Sequence, residues 1–135
     1  MNERATWIDR VTSLIGQVEQ WAQEMGWSTR RLEKKLDDVR VGKHRVPTLL
    51  MQEGTCRVLL EPLGRSAPGA EGVVDLYLLP AYDDIASLYY YDNRWNLHYM
   101  VPGSKPVATV REAEATPLLK DSLVRVLAEM RQHAA

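Results

Sequence analysis

The chain reads as an α+β protein on three observations. Each end carries an apolar stripe with the period of a helix. Between them lie short runs of apolar and β-branched residues. Those runs are separated by Gly, Asn and Asp clusters too short to carry parallel crossovers. The expected architecture is a five-stranded, mostly antiparallel sheet. It is flanked by an N-terminal helix, a short second helix and a C-terminal helix. All of it lies in one domain spanning residues 1–135.

The N-terminal stripe is Trp7, Val11, Leu14, Val18, Trp21 and Met25, with Ile8, Ile15 and Ala22 beside it. Thr6 and Asp9 have the spacing of a capping pair, and Gly26 suits the left-handed residue that closes a helix. The next stretch, STRRLEKKLDDVR, predicts a second helix with Leu32, Leu36 and Val39 inward and Gly42 ending it. HRVPTLLMQ and CRVLLEPL then read as two strands joined by the short connection EGT. After a Gly-rich loop, VVDLYLLP is a third strand. AYDDIAS reads as a tight loop or one helical turn. LYYY and WNLHYMV are strands around the hairpin signal DNR. A connector runs from Pro102 to Ala115. Thr116 then caps, and Pro117 opens, a last helix whose inward residues are Leu119, Leu123, Val126, Leu127 and Met130.

Alternation sorts the strands into two faces. Val58, Leu60, Val74, Leu76, Leu78, Trp95 and Leu97 fall on one side, uniformly apolar, where the helices are expected. Arg57, Glu61, Asp75, Tyr77, Asn96 and His98 fall on the other. That mixed face is too apolar for plain solvent surface and too polar for plain core. Two covers are expected alike: a second subunit, protein partner or ligand, or the chain's own helices.

Composition excludes little but directs much. The chain is 45% apolar and 26% charged, with a formal net charge of −1, so nothing draws it as a whole toward nucleic acid or membrane. It has no Phe, so Trp, Tyr, Leu and Val supply its bulk. The single cysteine, Cys56, fits a reducing compartment. The charged N-terminus lacks a secretory apolar core. A cytoplasmic location is therefore expected.

Each candidate site residue has a structural reading beside its chemical one. Asp83 and Asp84 could hold a divalent cation or act as an acid–base pair, but adjacent aspartates after a proline suit a turn or cap. Cys56 and His98 fall on opposite faces, so no nucleophile–base couple is expected. Asp75 interrupts an apolar strand, and Arg57 is its expected ion-pair partner across the sheet. The basic run from Arg30 to Arg45 is offset by Glu33, Asp37 and Asp38 and reads as a solvated helix face. No phosphate-binding glycine motif or metal-ligand spacing is present, and neither a cofactor nor a metal is expected.

The element order resembles the type III secretion chaperone-like α/β fold, in which a sheet packs against flanking helices. That resemblance implies a protein that often dimerises. The apolar character of both sheet faces, the Trp and Tyr content and the lack of a catalytic set make the expectation a non-enzymatic protein-binding module, chaperone-like or adaptor, working as a homodimer. The alternative is a small-ligand-binding protein or minor enzyme. The surface expected to carry either role comprises Arg57, Asp75, Tyr77, Tyr82, Asp83, Asp84 and His98.

Overall fold

Asn2 starts the first helix, α1 (Glu3–Glu24), by accepting the Ala5 backbone N–H on its side chain at 2.8 Å. Thr6, expected as the cap, lies one turn inside, where its hydroxyl donates to Asn2 O. The helix closes as its sequence predicts. Gly26 takes φ +87°, its N–H reaches Gln23 O, and the Trp27 N–H reaches Ala22 O. The computed structural model describes residues 2–66, 69–81, 83–99 and 115–133.

The stretch expected as a second helix is a strand, β1 (Ser28–Asp38). All of it pairs antiparallel with β2 (Gly42–Glu53), from Ser28 opposite Gln52 to Asp38 opposite Gly42. Leu32 and Leu36 stand four apart, a spacing that keeps one face in a strand as well as in a helix. Val39, which only a helix would have turned inward, is 97% exposed in the turn. The basic run expected on a helix therefore lies along this hairpin. Asp38 anchors its end, accepting backbone N–H groups from Arg40, Arg65 and Ser66 at 2.8, 2.8 and 3.2 Å and from Val41 at 3.3 Å.

The remaining strands are β3 (Cys56–Gly64), β4 (Val73–Leu78), β5 (Asp83–Tyr91), β6 (Arg94–Tyr99) and β7 (Thr116–Pro117). They precede α2 (Lys120–His133). Sheet order follows chain order and every neighbouring pair is antiparallel, so the described sheet has seven strands where five were expected. One addition is β1. The other is β7: Thr116 and Pro117, expected to start the last helix, pair with Leu97 and Asn96 instead. The helix begins three residues later, where the Ser122 hydroxyl meets Leu119 N at 2.8 Å.

Asp83 and Asp84 open β5, in register with Leu78 and Tyr77, and are not the turn or cap expected of them. Tyr82 and the connector up to residue 114 lie outside the described residues. The β5–β6 turn is as expected: Asp92 and Asn93 take φ values of 54° and 59°, the paired left-handed geometry of a two-residue hairpin.

One core joins the ends of the chain. Trp7, Val11, Ile15 and Val18 of α1 and Leu123, Leu127 and Met130 of α2 are buried with Leu49, Met51, Val58, Leu60, Leu76 and Leu88 of the sheet. Alternation thus places both helices against the apolar face. Trp7 fits only because residue 72 is glycine, since a Cβ there would come 2.6 Å from Trp7 Cζ3. Its indole N–H donates to His44 Nε2 at 2.9 Å. That fixes the tautomer of His44, whose Nδ1 faces Gly42 O at 2.7 Å. None of the described helices is long and apolar enough to cross a membrane.

Candidate functional site

Strand register brings Glu61, Asp75, Ser87 and His98 into one row across β3 to β6 on the face opposite the helices. Asp75 is 5% exposed. Its carboxylate accepts from Ser87 Oγ at 2.7 Å and from Tyr77 OH at 3.2 Å. Hydroxyls on the same strand and its neighbour thus do what an ion pair was expected to do. Arg57 is exposed and stands four residues along β3 from Glu61, the in-register neighbour of Asp75. The expected Asp75–Arg57 pair does not form. Glu61 is held instead by Lys34 at 2.7 Å, which also donates to Pro62 O.

His98 ends the row. Tyr89 and Tyr91 stand edge-on to its ring at centroid distances of 5.0 and 5.9 Å, and the Tyr91 hydroxyl lies 3.0 Å from Nε2. Burial lowers the His98 pKa, because the charged ring would lose its hydration there. Asn96, 2% exposed, donates to the carbonyls of Tyr91 and Arg94 and so braces the hairpin from within. Among the described residues every buried side-chain nitrogen and oxygen has a partner, and no cluster of His, Cys, Asp or Glu could hold a metal ion. Cys56 lies on the helix-bearing face, where burial raises its thiol pKa, and it packs as a small apolar residue. Of the expected surface, the structure brings Asp75, Tyr77 and His98 together through Ser87. It leaves Arg57 apart and puts the backbone of Asp83 and Asp84 at the end of β5.

A second site escaped the sequence reading. A groove of about 890 Å³ runs between α1 and the β5–β6 hairpin, lined by Trp21, Tyr90 and Trp95 above Leu14 and Leu118. Tyr90 and Trp95 are opposed across the hairpin and meet edge to face at 5.3 Å. The Arg10 guanidinium sits 3.8 Å above the Tyr90 ring and donates to Glu71 O at 3.1 Å. Arg94, Asn93, Gln17, Ser13 and Asp9 supply the polar wall. Two signals for it were in the sequence. Arg10, Gln17 and Trp21 recur along one flank of the helix, and Tyr90 and Trp95 fall on the helix-bearing face by alternation. No protein-family model, curated protein or solved structure matches the chain.

Proposed function

We propose that this chain is a non-enzymatic protein-binding module, chaperone-like or adaptor in kind. It works as a homodimer and seats a segment of a partner polypeptide in the groove beside α1. The observation that carries the reading is the lining. Trp, Tyr and Arg dominate the energetics of protein interfaces, and here Trp21, Trp95, Tyr90, Arg10 and Arg94 share one open concavity. Tyr90 and Trp95 are already oriented by each other and by Arg10, so little side-chain freedom is lost on binding. Two arginines against one aspartate favour a segment with a carboxylate beside its apolar anchor.

The alternative is a small-ligand-binding protein. Its pocket was expected on the mixed sheet face, but the satisfied hydrogen bonds around Asp75 favour a packing role there, and the groove is the better vessel. A photo-crosslinking residue at Gln17, in the groove wall, tests the two together with one at Gln52, exposed on β2. Capture of one defined polypeptide from position 17, abolished by Trp21→Ala, supports the proposal. Capture from position 52 alone counts against the groove. Quenching of tryptophan fluorescence by small aromatic acids, with no polypeptide captured, favours the alternative.

A further inference from the structure

The edge strand β1 is eleven residues long and, among the described strands, pairs only with β2. Its outer side therefore offers a row of alternate backbone N–H and C=O groups, which proteins ordinarily shield with charge. Charge is abundant on β1, but it is not arranged to repel a second copy.

Two identical edges joined in one antiparallel sheet are related by a two-fold axis normal to that sheet. Facing side chains stay on the same side only if the axis passes between two copies of one residue. With Lys34 at that position, Arg30 meets Asp38, Arg31 meets Asp37, Leu32 meets Leu36 and Glu33 meets Lys35. Every off-axis pair from Arg30 outward to Asp38 is then either opposite in charge or apolar on both sides. The like-charged axial pair is relieved within each chain, because Lys34 is 2.7 Å from Glu61.

Neighbouring registers fail this test. Centring on Glu33 opposes Arg31 to Lys35 and Leu32 to Lys34. Centring on Lys35 opposes Glu33 to Asp37 and Leu32 to Asp38. The strand is self-complementary along nine residues in this register and self-repelling in the adjacent ones, which is how charge confers specificity on an interface. Leu32, 41% exposed on the edge, gains an apolar partner there that neither adjacent register gives it.

We propose that β1 is a homodimerisation edge, pairing antiparallel with β1 of a second copy about Lys34 to form one continuous sheet across two chains. This rests on the homodimer reading above and names its surface.

The test uses Glu33 and Lys35, both exposed; among the described residues Glu33 makes one ion pair, a 3.6 Å contact with Arg45 that leaves both side chains mostly in water. Lys35→Glu and Glu33→Lys each place like charges opposite one another at two symmetry-related points. Each should raise the dimer dissociation constant roughly tenfold. The double swap, E33K with K35E, restores opposite charge and should return it to within about threefold of wild type. Sedimentation velocity over a concentration series reads this out, with circular dichroism checking that each variant stays folded. Loss in both singles and recovery in the double supports the edge. A wild-type dimer that neither single weakens overturns the edge and leaves the homodimer reading standing on another surface. A wild type that is monomeric throughout overturns both.

Discussion

Gly72 is where the smallest substitution meets the largest side chains. A methyl at that position lands 2.6 Å from Trp7 Cζ3 and 3.5 Å from the Trp95 ring, and the fully buried indole of Trp7 has no room to retreat. Gly72→Ala should lower stability by about 1–3 kcal/mol, read as a lower denaturant midpoint at unchanged slope. His98 sets a second expectation at this scale. Its folded pKa lies below the ordinary 6.5, so the unfolded chain takes up the proton first as pH falls. The contribution of His98 is therefore fully present above about pH 6.5. It is lost progressively as pH drops through the depressed folded value. Stability measured by urea titration should decline from pH 7 toward pH 5. His98→Gln should flatten that decline, and a slope unchanged in the variant would put its origin elsewhere.

Asp38 links residue to element. It ties the turn after β1 to the loop after β3, and burial, which raises its pKa, is outweighed by the four backbone N–H groups that lower it. Gly64 makes the approach possible, as a Cβ there would sit 2.8 Å from Asp38 Oδ2. Asp38→Ala should cost about 2–3 kcal/mol and speed hydrogen exchange at Arg65 and Ser66 selectively. The same hairpin marks the limit of what could be read beforehand. Lys, Arg, Glu and Leu are all good helix formers, and the propensity of STRRLEKKLDDVR is helical. Pairing with β2 along the whole length of β1 overrides that propensity, and no local pattern reports such pairing. Strands β3, β4 and β6 were legible because one of their faces is buried, so alternation survives in the sequence. The faces assigned to Asp75, Tyr77 and His98 follow from it. The partner of Asp75 was not legible, because choosing Ser87 over Arg57 requires the β4–β5 register, which sits beside a bulge between Leu76 and Tyr77. The groove was hidden for a related reason, being formed by elements some seventy residues apart.

The whole molecule is held by a core that both terminal helices complete. Lys120 reaches Glu24 at 2.6 Å and Arg131 reaches Glu53 at 3.1 Å. These pairs are exposed and contribute little beside the burial of Leu123, Leu127 and Met130. Leu127→Ala should cost about 2–5 kcal/mol. Because the lost contacts lie between α2 and the sheet, far-ultraviolet circular dichroism and tryptophan fluorescence should shift together in one cooperative transition. Separate transitions would mean that α2 folds independently of the sheet.

The two ends of the described sheet are unequal, and that inequality would govern the stoichiometry of any pairing through β1. The described sheet finishes at β7, two residues long and including Pro117, which has no N–H to offer. In polymer terms, if β1 pairs with a second copy, such a chain would be a monofunctional monomer: it would form one strand-to-strand bond through β1, and among the described strands the other edge, β7, is too short to propagate a second. Growth by edge addition would terminate at two chains, and the short proline-bearing strand would act as the chain stopper that keeps a long, open β edge from seeding a fibre.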